Sequence, residues 1–269
     1  MNYDPIKFSL GTIFNKSPFL RKVFYLLLDI LLLRSWHIKK AISGWRKTQK
    51  NNVSIIDAGS GFGQYSYYLA RQNSQWNILG IDVKKEQIED CNNFSKQIGF
   101  ENMTFAEGDL TSFISEKPVD LILSVDVMEH ILEDELVFRN FCASLKNDGM
   151  LLISTPSNLG GSDVHDEDGE SFIGEHVRDG YSIEDITNKL TKAGFYNIDA
   201  RYSYGLPGHI SWILSMKLPI YLLNITKWFF IILPFYYIAL FWICIILNAL
   251  DVICDHKSGT GLIVKAYKK

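Results

Sequence analysis

Cysteine is scarce in this chain: four residues in 269, at positions 91, 142, 244 and 254. None are spaced as Cys-x-x-Cys, and a disulfide framework is not expected. They read as small hydrophobes in a reducing compartment. Net charge is also small, −3 at pH 7, which gives no reason to propose a nucleic acid partner. The first residues lack the positive start and the cleavage site of a secretory signal. There is no internal repeat and no low-complexity tract. What the chain has in quantity is apolar side chains, 47% of the total, enough for a full core.

Residues 53–66 read VSIIDAGSGFGQYS. A short apolar run ends in Asp57, Gly59, Gly61 and Gly63 alternate, and a helical pattern begins. Glycines at that spacing let the backbone turn sharply and leave room for a ligand. The carboxyl end of the first strand of an α/β sheet is where a nucleotide-like molecule binds. The sixth position counted from Gly59 is Gln64, where a dinucleotide fingerprint wants Gly or Ala. No Gly-Lys-Ser/Thr follows, as a phosphate loop requires.

The pattern Asp-x-Gly-x-Gly-x-Gly resembles the first motif of class I S-adenosylmethionine-dependent methyltransferases. That cofactor has an amino group, which Asp57 can attract directly or through water. Further strands follow in register: 76–82 ends in Asp82, 103–109 in Asp109, 119–126 in Asp126, and 150–156 is the fifth. Each is a short aliphatic run bounded by turn signals. Helical patterns over 63–72, 84–99, 131–146 and 181–194 separate the strands and argue for a parallel sheet covered on both faces. The resemblance covers about residues 50–205 and 261–269. It implies an α/β, Rossmann-like, doubly wound sheet of seven mostly parallel strands, with 196–203 sixth and 261–267 an antiparallel seventh beside it. It also implies an S-adenosylmethionine site built from Asp57, Gly59, Ser60, Gly61 and Gly63, from Asp82 and Val83 at the ribose, from Asp109 and Leu110 near the adenine, and from Ser124.

Chemistry is expected just after the fourth strand, in Asp126-Val-Met-Glu-His130. On a helix, positions i, i+3 and i+4 share a face, so Asp126, Glu129 and His130 would converge. Two carboxylates and an imidazole can bind a divalent cation such as Mg²⁺, which would orient and acidify a substrate oxygen. The segment resembles the Glu-x-x-Glu-His metal motif of ubiquinone-pathway O-methyltransferases and small-RNA 2′-O-methyltransferases, with the shorter Asp126 in place of the first Glu. Two other readings stand beside it: a general-base or pocket role for Glu129 and His130, and a plain helix start. Residues 157–180 form a long loop of the size that tends to act as a lid. Its His176 can supply a second imidazole to the substrate, while its acidic residues read as solvated.

Between the sixth and seventh strands lie about fifty residues, and 228–250 carries no charge. That meets the criterion for a membrane-spanning helix. Strands six and seven share one sheet, however, so the chain must leave and return on one side. Monotopic insertion is expected, with a two-span hairpin or a helical lid or homodimer contact as alternatives. Pro219 and Pro234 are expected to break or kink helices. The nearly apolar stretch Val23–Leu33 and the basic residues Lys39, Lys40, Arg46, Lys47 and Lys50 suit an anionic leaflet. The divisions are then 1–50, an N-terminal helical, membrane-contacting cap; 51–205 and 257–269, the core; and 206–256, the apolar insertion. The expected function is methylation of an oxygen on a lipid-like acceptor (quinol, phenol or polyene type) at the cytoplasmic face of a membrane. A soluble enzyme acting on a glycan or polar metabolite is the alternative, and a non-catalytic binding protein a third.

Overall fold

The computed structural model describes residues 17–49, 52–160, 177–226 and 228–269. His176 and the acidic part of the expected lid lie outside the described residues.

Two helices, α1 (Pro18–Leu31) and α2 (Leu33–Arg46), precede the sheet. Ser17 caps α1 by accepting from Leu20 N at 3.2 Å, and Pro18 follows where no N–H is needed. The apolar run 23–33 is not one helix: Leu32 is extended (φ −90°, ψ 111°) and separates the two.

The core alternates β1 (Ser54–Ala58), α3 (Gln64–Ala70), β2 (Asn77–Asp82), α4 (Lys85–Gln97), β3 (Met103–Glu107), β4 (Val119–Val125), a 3₁₀ turn (Met128–His130), α5 (Asp134–Ser144), β5 (Leu145–Pro156), α6 (Ile183–Lys192) and β6 (Phe195–Ser203). With β7 (Gly261–Lys268) they form one sheet in the order β3-β2-β1-β4-β5-β7-β6. Strand β7 is antiparallel to both neighbours; the other pairings are parallel. Successive residues of a strand face opposite ways, and the core divides accordingly. Ile55, Leu121 and Leu123 pack under α1–α4, while Ile56 and Ile122 pack under α5 and α6. Strand β5 begins at Leu145, earlier than its aliphatic run, because Leu145 pairs with Val119 before a register shift that brings Met150 opposite Leu121.

The chain from β6 to β7 is an antiparallel helical hairpin. One arm is α7 (Leu206–Trp212), a π-helical turn (Ile213–Lys217) and α8 (Leu218–Ile225); the other is α9 (Phe229–Ile253). The hydroxyls of Tyr236 and Tyr237 donate to the carbonyls of Leu214 and Ser215, at 2.6 and 2.8 Å. Pro219 opens α8 without interrupting the arm. Pro234 does not break α9; only the Phe230 carbonyl, in the first turn, loses its helical donor.

The base of the hairpin is fixed to the core by Asp251, fully buried on α9. Its carboxylate accepts from Gly208 N at 3.0 Å and Tyr204 N at 3.2 Å, and meets His37 Nε2 at 2.8 Å and His256 Nε2 at 3.1 Å. Burial opposes ionisation there, but these donors and imidazoles together hold the carboxyl below its ordinary range. Away from the base, α9 is exposed. It is also the one helix among the described residues long and apolar enough to cross a membrane.

The basic cluster expected behind α1 is largely engaged within the chain. Lys39 pairs with Asp29, Lys40 donates to Val252 O, and Arg46 donates to Gln72. Lys50 lies outside the described residues.

Candidate active site

The glycine loop after β1 has φ of +75°, +49° and +74° at Gly59, Gly61 and Gly63. At Gly59 the requirement is also steric, since a Cβ would lie 2.3 Å from Val127 Cγ2. The N–H groups of Gly59 and Ser60 donate to Ile81 O at 2.8 and 3.0 Å, tying the loop to the end of β2. Asp82 completes the latch, accepting from Gly61 N at 2.8 Å and from Lys84 N at 2.9 Å.

Asp57 is 2% exposed and accepts from Ser66 Oγ at 2.6 Å. Burial pushes its carboxyl up to about 6, against the Ser66 hydrogen bonds, and nearby Asp82 adds to the rise. A cationic amino group would supply the counter-charge this carboxylate lacks. The hydroxyls of Ser60 and Ser124 are buried with no hydrogen-bond partner among the described residues. Val83 is exposed beside Asp82, and Leu110 is buried beside the exposed Asp109. Asp109 Oδ1 accepts from Thr111 N and Oγ1, both at 2.8 Å, which hold the carboxyl below its ordinary range. The expected cofactor residues thus gather at the carboxyl ends of β1–β4. Glycine cradle, unneutralised carboxylate and unpartnered hydroxyls fit S-adenosylmethionine, whose ammonium would face Asp57 and whose ribose hydroxyls would face Asp82.

Asp126, Glu129 and His130 do not form the expected triad. Asp126 precedes the helical turn and has left-handed backbone, φ 52°, a conformation Asp tolerates better than most residues. Its N–H donates to Ser154 O at 2.8 Å and its carboxylate is ion-paired to Arg34. Glu129 is 1% exposed and accepts from Thr155 Oγ1 at 3.1 Å. Burial, then the charge of Asp126, pushes its carboxyl up to about 8. His130 is half-buried on the same 3₁₀ turn. A single 3₁₀ turn cannot bring positions i, i+3 and i+4 onto one α-helical face. No group of three His, Cys, Asp or Glu side chains among the described residues could hold a metal ion. The residues present do not fit the divalent cation.

Several site residues were not visible in the sequence. Arg34 reaches Asp126 from α2. Gln64 Nε2 donates to Asp29 Oδ1 at 2.7 Å and to Ser35 Oγ at 3.1 Å, and Ser35 Oγ meets Tyr65 OH at 3.1 Å. Arg21, 3% exposed on α1, donates to Phe62 O at 2.9 Å and Asp90 O at 3.0 Å. The two N-terminal helices therefore roof the glycine loop. The available signal was Gln64 itself, a polar side chain where close helix–strand packing would favour Gly or Ala.

Comparison with known proteins agrees with this geometry. A family model described as "Methyltransferase domain" matches residues 49–194. The ubiquinone biosynthesis O-methyltransferase of Rickettsia felis is 27% identical over 118 residues, 44% of this chain and 46% of that protein. A probable (S)-tetrahydroprotoberberine N-methyltransferase of Papaver bracteatum is 25% identical over 104 residues, 39% and 29% respectively. This chain therefore spans less than half the length of either relative. Among solved structures, phosphoethanolamine N-methyltransferase 2 of Haemonchus contortus, bound to phosphomonomethylethanolamine and S-adenosylhomocysteine, superposes with TM-score 0.61 at 18% identity, over 87% of this chain and 52% of that one. With more than half of its length matched and a seven-stranded sheet whose antiparallel seventh strand lies beside the sixth, the chain belongs to the methyltransferase domain family, of the class I S-adenosylmethionine-dependent type.

Proposed function

We propose that this protein is an S-adenosylmethionine-dependent methyltransferase that works on a lipid-like or amphipathic acceptor at the cytoplasmic face of a membrane. The observation that carries the membrane part is the exposed hairpin, where Trp228, Phe235, Ile238 and Trp242 are each about 70% exposed or more (75, 70, 70 and 68%). Contiguous apolar surface of this kind marks an interaction site, and the tryptophans suit the headgroup region.

Depth follows from where the hairpin is held. The buried residues of α9 are Cys244, Asn248 and Asp251, so Phe229–Ile243 is the free part, about 22 Å long at ~1.5 Å per residue. That is enough to enter one leaflet and short of the ~30 Å hydrocarbon core. Both arms return to the same sheet, which supports monotopic insertion.

The cofactor supplies an electrophilic methyl group on a sulfonium. Asp57 would hold its ammonium, Asp82 and Val83 its ribose, and Asp109 and Leu110 would lie near the adenine. His130 would take the acceptor's proton, leaving a lone pair free for the methyl group that the cofactor would supply with its sulfide as leaving group. Glu129, protonated near neutral pH, is poorly suited to be that base. An oxygen acceptor agrees with the Rickettsia relative, whose name is that of an O-methyltransferase. A nitrogen acceptor is the second reading, favoured by the poppy and nematode N-methyltransferases.

The test is radiolabelled methyl transfer from S-adenosylmethionine into a lysate of the native host, followed by butanol–water partition. Label in the organic phase is expected. Label confined to the aqueous phase would overturn the lipid reading and leave the hairpin as a lid or dimer contact.

A further inference from the structure

A helix at the surface of a water-soluble protein turns its charged side chains outward and its apolar ones to the core. Helix α1 does the reverse. Arg21 and Tyr25, one turn apart, are buried against the glycine loop, where Arg21 Nη2 donates to Phe62 O at 2.9 Å and Tyr25 OH donates to the same carbonyl. Asp29 is held by Gln64 Nε2 at 2.7 Å and by Lys39 Nζ at 2.6 Å. The opposite stripe carries Phe19, Val23, Leu26, Leu27 and Ile30, at helical spacing. Phe19, Leu26 and Leu27 are 73, 56 and 43% exposed. The one exposed charged residue of α1 is Lys22, at the edge of that stripe.

The hairpin shows the same inversion. Ser211, Ser215, Cys244 and Asn248 are buried, with Ser211 Oγ donating to Cys244 O across the arms at 3.3 Å, while the large apolar side chains face out. The two inverted elements also meet. Leu31 and Leu32 at the end of α1 and Trp212 and Met216 of the first arm line a shared gap of only about 10 Å³, room for no more than one water. The apolar stripe of α1 therefore begins where the hairpin leaves the core.

We infer that α1 is a second membrane contact, lying flat in the headgroup layer of an anionic leaflet, with Phe19, Leu26 and Leu27 toward the acyl chains and Lys22 at lipid phosphate. Leucines beside a lysine suit that boundary, where the ammonium meets phosphate and the apolar face reaches the acyl region. The inference rests on the membrane reading of the hairpin and adds an orientation to it. The helix that roofs the glycine loop from one face rests on the bilayer with the other, so the cofactor site lies directly behind the headgroups.

Photocrosslinking of the full chain tests this, with p-benzoylphenylalanine in place of Leu26, of Phe235 on the hairpin, or of Asn188, exposed on α6 across the sheet. Each variant is irradiated with tritiated phosphatidylglycerol in phosphatidylcholine vesicles. Lipid label at positions 26 and 235, each about tenfold above position 188, is expected. F19E combined with L26E is expected to weaken co-sedimentation with the same vesicles about tenfold and to leave S-adenosylmethionine affinity within about twofold. K22E is expected to weaken binding to these vesicles and not to pure phosphatidylcholine. Label at 235 without label at 26, or unchanged co-sedimentation of the double variant, would overturn this inference and leave the hairpin reading standing. Crosslinking of position 26 to a second copy of the chain would overturn it in favour of a dimer contact. Label at neither 26 nor 235 would overturn both readings.

Discussion

Arg34 of α2 is ion-paired to Asp126, the residue with left-handed backbone that follows β4. The partners are 92 positions apart, and the pair joins the N-terminal roof to the turn that carries Glu129 and His130. It also sets the charge that Glu129 faces. Asp126 raises the Glu129 carboxyl and Arg34 lowers it, both behind the larger effect of burial. R34A is therefore expected to move the Glu129 titration further up, and D126N to move it down. Carbon-13 NMR of the labelled carboxylate reads both, and movement in the same direction would contradict the pairing.

Glu129 also gives stability a pH dependence. Its carboxyl titrates near 8 in the folded chain, against an ordinary 4.5. Between those values the folded chain keeps a proton that the unfolded chain has released. Stability then falls as pH rises through the window and levels off above about 8. E129Q should lose this slope, so its stability relative to the unmutated chain rises with pH, by on the order of a few kcal/mol across the window. Urea midpoints from pH 5 to 9 check the sign.

Gly59 combines φ +75° with a Cβ position inside the Val127 side chain. G59A is expected to cost about 2–4 kcal/mol and to weaken S-adenosylmethionine binding more than tenfold by calorimetry. Adding V127A should recover the steric part and leave the backbone part. Full recovery by the double variant would show that φ costs nothing there.

Asp251 is the bond between hairpin and core. D251N leaves His37 and His256 without their carboxylate and is expected to destabilise the chain by about 3–5 kcal/mol. Limited proteolysis should then cut first between residues 204 and 257. Because this carboxyl is held low, its stabilisation is complete above about pH 4 and is lost as pH falls through its folded value.

The hairpin's exposed face should be dispensable for the cofactor and essential for lipid. W228E combined with F235E is expected to abolish vesicle co-sedimentation and leave S-adenosylmethionine affinity within about twofold. Both side chains are largely exposed, where substitutions change stability by about 0.5 kcal/mol or less.

Much of the core was legible because its signals are local. Aliphatic runs ending in Asp57, Asp82 and the Gly108–Asp109 turn mark strand ends directly, and the glycine triplet marks the loop. Long-range pairing left no such trace. Nothing in the sequence near Asp126 announces Arg34, and the helix reading of 126–130 failed because Ser154 O captures the Asp126 N–H and ends β4 in a left-handed turn. The break at Leu32 was hidden for the opposite reason: a run of leucines has no punctuation, and the extended residue is selected by packing. Gln64 was read as excluding a dinucleotide when it was also a contact to Asp29 and Ser35.

Strand β7 lies between β5 and β6, yet the chain makes it after the hairpin. During synthesis, β5 and β6 have no bridge until residues 261–268 emerge, while the most apolar segment is already outside. At ~5–20 residues per second, that interval lasts seconds. An unfinished sheet edge and a naked greasy hairpin then coexist, a combination prone to aggregation. If the proposed membrane docking holds, early capture of the hairpin by a bilayer would shelter it during that interval, before the catalytic domain has closed.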